Sequence, residues 1–436
     1  MRYTTAEVSI VIQISENRRF LCDPNGEPFF YLADTAWEML HRLSFEETRF
    51  YLQNRVDKGF TAIQTVILAE ENGLRDPTPA GEIPLHDLDP TRPNEAYFAH
   101  VDRVLELARE LGLVLALLPT WGDKWNLKWG GGPVIFTPQN AFIYGQFLGS
   151  RYKNAPNLIW VLGGDRTFDT PEQREIIEQM ALGIEAGGAR QLKTLHPTGG
   201  RGSSQDFPDA PWLDFHMWQS GHGRNTPNYA HIAADYAREN VKPVLDGEPG
   251  YEDHKAGFAL ENGFLDDYDN RKALYWALFS GACGHTYGCH PVWQMADKHR
   301  RPVNHPRRFW HEALDLPGAS QIGFARVLHE KWAFLGEEPA PEMVVAQRQN
   351  EAGEEMISRH VAAIRARDGA WALLYFTCDD KVEINLESLR GETVRFSWFD
   401  PRRGAILEGG AVAKTSAHAF PVPGWGPDWV LILESE

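Results

Sequence analysis

Two rhythms of apolar and polar residues divide the chain. Over roughly its first 300 residues, short unbroken apolar rows alternate with longer stretches in which apolar residues return every three or four positions. An unbroken row is how a strand buried on both faces of a parallel sheet reads. The clearest is 158–162, Leu-Ile-Trp-Val-Leu, followed by Gly163, Gly164 and Asp165. Further strands are predicted at 28–33, 60–68, 113–118, 192–195, 212–217, 243–246 and around 284–287, several of them interrupted by polar residues.

Between them run helical stripes: Thr48, Leu52 and Val56; Phe98, Val101, Leu105 and Ala108; Ile176, Ile177, Met180 and Ile184. Ser44 with Glu47 three residues on makes a capping box. Thr137-Pro138, Thr170-Pro171 and Thr226-Pro227 each set a capping Thr before a Pro suited to the first helical position. Gly59 and Gly112 are helix stops. Further helices are predicted over 267–280 and 319–335. Eight strands alternating with helices predict a closed (β/α)8 TIM barrel, preceded by a β hairpin turning at 24–26. The first strand is not followed by GxGxxG, which weakens a doubly wound nucleotide-binding alternative.

After Gly336 the rhythm changes. Residues 337–341 read as a linker, and short runs follow at 343–346, 361–365, 371–376, 382–385, 393–399 and 429–433, with Asp368-Gly369 as a hairpin turn. The expected organisation is a barrel domain over 1–336 and a small all-β sandwich over 337–436.

Composition narrows the function. The 436 residues carry a net charge of −17, which argues against nucleic-acid or anionic-membrane partners. No apolar stretch reaches membrane-spanning length, and 1–19 lacks a signal-peptide core and cleavage site, so a cytoplasmic location is expected. Cys22, Cys283, Cys289 and Cys378 form no CxxC pair and read as buried thiols, with a Cys283–Cys289 disulfide left open. No cofactor is implied. The unusual figure is 15 Trp, several of them at strand ends, where aromatic rings suit the C–H faces of sugars; for any single Trp, core filling competes with that role.

The chemistry gathers where strands end. Asp165 follows the fourth strand, and Glu248 follows the seventh in Leu-Asp-Gly-Glu-Pro-Gly-Tyr-Glu. Catalytic groups of barrel enzymes sit at such ends, and two carboxylates are the minimum for hydrolysing a glycosidic bond. Either residue alone could be a helix cap or a loop ion pair. The strand-end histidines His196, His216, His285 and His290 raise a metal-dependent hydrolase, but the first strand offers Asp34 where an inward His-x-His pair would be needed, and no catalytic metal is expected. A GxSxG elbow is absent, against a serine esterase.

The segments FYLADTAWEMLHRLS, FTAIQTVILAE, NLIWVLGGDRTFD, WLDFHMWQSGH and VLDGEPGYE resemble the apiosidase-like catalytic domain, glycoside hydrolase family 140. SWFDPRRGAI and DWVLILE resemble the small β domain that accompanies it, labelled "putative collagen-binding domain of a collagenase". The resemblance implies a TIM barrel that releases apiose-linked side chains from a pectic polysaccharide, with Asp165 and Glu248 as the catalytic pair. The resulting expectation is a retaining glycoside hydrolase with Glu248 as nucleophile and Asp165 as acid/base, acting on a plant-derived oligosaccharide or glycoside. Asp34, Trp37, Trp121, His196, His216, Trp218, Tyr251, Tyr287 and Trp293 are the expected substrate-binding residues. The long Trp-Gly-rich loop 121–132 should wall a deep aromatic pocket suited to exo action on a small neutral glycoside. The competing reading is a non-catalytic carbohydrate-binding or scaffold protein with a degenerate barrel.

Overall fold

The computed structural model describes residues 11–332, 336–377 and 382–436. The end of the predicted helix 319–335 and Cys378 lie outside them. The other three cysteines are buried free thiols, so Cys283 and Cys289 are not bridged.

The eight strands form one parallel barrel sheet: β1 Tyr31–Thr35, β2 Ala62–Leu68, β3 Val114–Thr120, β4 Leu158–Gly163, β5 Lys193–His196, β6 His216–Gln219, β7 Val244–Asp246 and β8 Gly284–Tyr287. Their order is β5-β4-β3-β2-β1-β8-β7-β6. The seam between β5 and β6 is bridged by the Asp214 amide on the Lys193 carbonyl (2.8 Å) and by Thr194 Oγ1 on the Phe215 carbonyl (2.7 Å). Every residue of β1 to β5 is buried, as the unbroken apolar rows require.

The helices α1 Phe45–Asp57, α2 Glu95–Glu110, α3 Pro138–Tyr152, α4 Pro171–Ala186, α5 Asn228–Tyr236, α6 Asp267–Phe279 and α7 Pro317–Lys331 surround the barrel. Capping boxes close α1 (Ser44 with Glu47), α3 (Thr137 with Asn140) and α4 (Thr170 with Gln173). Thr226 makes no such cap: α5 starts after Pro227 without a side-chain cap, and the Thr226 hydroxyl instead donates to the Gly223 carbonyl at 3.3 Å. Strand six also begins later than expected, because Trp212, Leu213 and Phe215 are buried in a turn and not in the ladder.

The C-terminal region is an antiparallel sheet of β9 Glu337–Pro339, β10 Ala362–Ala366, β11 Trp371–Phe376, β12 Thr393–Asp400, β13 Ala405–Ala413 and β14 Trp429–Ser435, ordered β9-β10-β11-β14-β12-β13. A two-stranded ribbon, Glu383–Ile384 with His418–Ala419, completes the sandwich. The expected linker is therefore an edge strand, where Pro339 is tolerated because one side needs no ladder donor. The expected strand 343–346 is a turn with a single bridge from Val344 to Ile384.

The sheet has two apolar faces. Leu374, Phe376, Leu431 and Leu433 enter the sandwich's own core. Leu373, Tyr375, Val430 and Ile432 alternate with them and join the core of the barrel. Arg271 of α6 grips Asp428 through two hydrogen bonds of 2.8 and 2.9 Å, and Tyr375 adds a third to the same carboxylate at 3.0 Å. Tyr275 stacks on Tyr375, and Tyr229 stacks on His360 with centroids 3.6 Å apart.

Candidate active site

The end of β4 is built for close approach. A Cβ on Gly163 would meet the His196 carbonyl at 2.4 Å, and one on Gly164 would meet the Gly122 amide nitrogen at 2.8 Å. Only glycine lets the chain turn there, between the ends of β3 and β5. Asp165 follows with φ +44°, a left-handed conformation that non-glycine residues adopt at a cost. Its Oδ1 accepts from Thr198 Oγ1 and from the Gly199 amide, both at 3.3 Å. Arg166, one residue on, is committed to Glu70 at 2.6 Å, with its other nitrogen 3.9 Å from Asp165 Oδ2.

Glu248 hangs from the end of β7, where the amides of Gly247 (2.8 Å) and Glu248 (3.3 Å) both donate to the Trp218 carbonyl. Two imidazoles hold its carboxylate: His196 Nε2 is 2.7 Å from Oε2, and His222 Nε2 is 3.3 Å from Oε1. The other face of His196 meets Asp165, whose backbone N–H donates to Nδ1 at 3.4 Å. Nε2 is thus the ring nitrogen that faces Glu248. One ring thus links both strand ends.

The two carboxyls occupy opposite electrostatic environments. Burial and then the charge of Glu248 push Asp165 above the ordinary carboxylate range, with His196, Arg166 and the Gly199 amide opposing. Burial also works against ionisation of Glu248, but hydrogen bonds from His196 and His222 outweigh it and hold that carboxyl well below its usual range. The Asp165 side chain is 29% exposed and that of Glu248 is 6% exposed, so Asp165 is the one open to an incoming molecule.

Aromatic residues wall this pair. Trp37 donates its Nε1–H to the Tyr251 hydroxyl at 3.0 Å and meets His196 edge-on, while Trp121 packs against both Trp37 and His196. The Tyr251 hydroxyl in turn hydrogen-bonds Glu248. Beyond His222 run His254 and His290, each ring 4.6 Å from the one before. Burial first, then the adjoining imidazoles, lower His254 to about 2 and His290 to about 4, so both are neutral at pH 7. Trp293, partly exposed, ends this row by donating to His290 Nδ1 at 3.2 Å. Among the described residues no cluster of His, Cys, Asp and Glu is arranged to hold a metal ion.

Trp37, Trp121, His196 and Tyr251 therefore gather with Asp165 and Glu248, Trp293 stands at the far end of the histidine row, and four expected residues do not join them. Asp34 is fully buried, ion-paired to Arg55 at 2.6 Å and bonded to the Tyr51 hydroxyl at 2.6 Å. Tyr287 is fully buried and donates to Glu252 at 2.5 Å. Trp218 packs outward with Ile232 of α5, stacks on His231 and donates to Asp235 at 2.7 Å. His216, two residues earlier on the same face of β6, is buried near Lys242 and Arg238; burial first, then those cations, lower its pKa to about 3. Sequence reasoning missed His222 and His254, which come from the loops after β6 and β7 and have no motif spacing. The one available signal was that His222 closes the WQSGH segment just past a strand end.

A cleft of about 1130 Å3 opens over the C-terminal ends of the strands, lined by the segments that follow β1, β2, β3 and β8. Trp129, Gly131 and Gly132 supply one wall, as the long 121–132 loop was expected to do. Its lining is polar, not aromatic: Arg42, Arg75, Arg300 and Arg301 face Glu70, Glu71 and Asp76. Glu70 joins this cleft to the catalytic candidates through Arg166.

Residues 15–335 match the family described as "Apiosidase-like, catalytic domain", and residues 339–434 that described as "Putative collagen-binding domain of a collagenase". Among solved structures, a protein described as a glycoside hydrolase is 28% identical with a TM-score of 0.87, the match covering 98% of this chain and 97% of that one. A glycoside hydrolase family 5 protein from Bacteroides vulgatus is 27% identical with a TM-score of 0.87, covering 98% of this chain and 94% of that one. No curated protein matches the chain.

Proposed function

Because the chain belongs to the apiosidase-like family and is a glycoside hydrolase, we propose that it cleaves its glycosidic bond with retention, using Glu248 as nucleophile and Asp165 as acid and base. The observation that carries this reading is the opposite tuning of two carboxyls on either side of His196. A nucleophile must be ionised and oriented, and the His196 and His222 contacts do both for Glu248. An acid must hold its proton at working pH and meet the leaving group, which fits the raised, more exposed Asp165.

Glu248 attacks the anomeric carbon while the bond to the leaving oxygen breaks, and Asp165 gives that oxygen its proton. Asp165, now a carboxylate, takes a proton from water as that water attacks the same carbon and frees Glu248. Trp37, Trp121 and Tyr251 exclude bulk water and offer apolar faces to the sugar.

The substrate we propose is a pectic-type oligosaccharide or glycoside acted on from one end. Support comes from Arg75 and Arg301 of the cleft, whose guanidinium groups suit carboxylate-bearing sugars on the leaving side, while Arg42 is held by Glu38 and Arg300 by Asp297. Aryl apiosides, arabinosides and rhamnosides, together with pectic oligosaccharides, form the test panel. Turnover by the wild type, lost in Asp165→Asn and Glu248→Gln with sugar binding kept, is the expected result. A wild type inert across the panel yet able to bind pectic oligosaccharides contradicts it, and internal fragments of mixed length contradict end-wise action.

A further inference from the structure

A second recess of about 700 Å3 lies at the rim of the same barrel face, between the first turns of α1 and the chain after β8. Its apolar floor comes from Phe50, Phe309 and Trp310. Trp310 is buried and meets Phe50 edge-on at 6.2 Å, which fixes the floor from beneath. Phe50 is 57% exposed and Phe309 39% exposed, and both line the recess. Phe50 meets Trp310 edge-on and Phe309 stacks on His311 on one side, which leaves much of each phenyl ring open to a ligand. The backbone under Phe309 is set by its amide's 2.9 Å hydrogen bond to the Glu312 carboxylate.

The recess does not stand alone. His299 lines both it and the large cleft, so a chain leaving the cleft over His299 runs directly onto the two phenyl rings. The change of charge along this path is informative. The cleft sets four arginines against Glu70, Glu71 and Asp76, close to balance, whereas the recess sets Glu46, Glu47, Asp297 and Glu312 against a single lysine. A uronate finds cationic partners in the first and is repelled by the second.

We propose that this recess is a distal subsite that stacks a neutral pyranose of the leaving-side portion of the oligosaccharide on Phe50 and Phe309. This rests on the proposed function only in taking an oligosaccharide as the occupant of the cleft. It also assigns the enzyme a longer substrate than its buried catalytic pair alone would need.

The test compares wild type, the double variant Phe50→Ala/Phe309→Ala and Phe50→Tyr, as full chains. Each is assayed on an aryl apioside, which reaches only the cleavage position, and on sized oligosaccharides from partial acid hydrolysis of pectin. Binding of those oligosaccharides is measured by calorimetry in an Asp165→Asn background. The double variant should lose about tenfold in affinity and in kcat/KM on the long oligosaccharides. Its kcat/KM on the aryl apioside should be unchanged, and Phe50→Tyr should retain wild-type behaviour. Equal losses on short and long substrates, no loss on either, or no binding of pectic oligosaccharides by any form would overturn the subsite. So would a change of oligomeric state between wild type and the double variant by sedimentation, since the recess would then be a subunit contact. If oligosaccharides bind through Phe50 and Phe309 but nothing is hydrolysed, the proposed function fails and the subsite stands. If hydrolysis proceeds and the double variant matches wild type, the reverse holds.

Discussion

Two clusters of buried charge are built on opposite rules. Where α6 meets the antiparallel sheet, Arg271 and Asp428 are of opposite sign, bonded twice to each other, with Tyr375 satisfying the carboxylate further. At the C-terminal rim, Asp165 and Glu248 are both acids, and the His196 ring stands between them. The first arrangement pairs charges within the fold. The second pushes one carboxyl below the ordinary carboxylate range and its neighbour above it, an opposition that suits a reaction. The same contrast explains Asp34: a strand-end carboxylate that meets Arg55 is a structural ion pair, whatever its position suggests.

The sharpest way to break this contrast is at the rim. Glu248→Gln should lower kcat by at least about 10^3-fold on every substrate, and Asp165→Asn by a similar factor on substrates with poor leaving groups. On a nitrophenyl glycoside, whose leaving oxygen needs no proton, Asp165→Asn should lose far less. Asp165→Asn should melt no lower than wild type, since burial and the charge of Glu248 both disfavour the Asp165 carboxylate, whereas Glu248→Gln gives up the contacts with His196 and His222 that favour its carboxylate and should melt somewhat lower. Steady-state kinetics beside thermal melts check this, and a large loss of stability in Asp165→Asn would contradict the division of roles.

At the interface the signs reverse. Arg271→Ala leaves Asp428 buried without its partner and should cost about 3 kcal/mol of stability. Turnover per folded molecule should be unchanged at temperatures well below the melt. Denaturant unfolding with parallel assays would show it, and a kcat defect at full folding would mean that the sheet domain reaches the site.

A smaller effect is expected from the second imidazole. His222→Phe removes one of the two groups holding Glu248 below its ordinary range, so the acid limb of kcat/KM should rise by on the order of one pH unit. The sign follows from the depressed carboxyl: the ionised nucleophile exists above its pKa and is lost as pH falls through it. The alkaline limb, set by the raised Asp165, should lie above the ordinary carboxylate range and shift little in this variant. The smallest effect belongs to Trp218→Phe, which should leave kcat/KM within about twofold because the indole faces α5, at a cost of about 1 kcal/mol for its lost bond to Asp235.

These contrasts also mark how far the sequence could be read. Rows such as 158–162 and 113–118 carried the barrel, because a strand buried on both sides favours an apolar run, and β8 falls on the residues expected although it reads Gly-His-Thr-Tyr. Asp165 and Glu248 were legible because glycines beside a strand end announce a sharp turn. His216 and Trp218 were misread because β6 has only four residues, too few for alternation to say which face is inward; Met217 joins the main core and Trp218 does not. β13 escaped notice because its residues are exposed on both faces and include Gly409 and Gly410. His222 and His254 were out of reach for a different reason. They meet Glu248 only when two loops fold over the barrel, and no local pattern encodes that meeting.

The account turns on which carboxyl attacks. A 2-deoxy-2-fluoro glycoside of the sugar that the panel identifies, carrying an activated leaving group, should arrest the reaction at the glycosyl-enzyme. Mass spectrometry of peptides from the stalled protein then reports the attached residue. The account predicts one sugar adduct, on Glu248. An adduct on Asp165 or elsewhere, or release of the inverted sugar with no adduct, would contradict it.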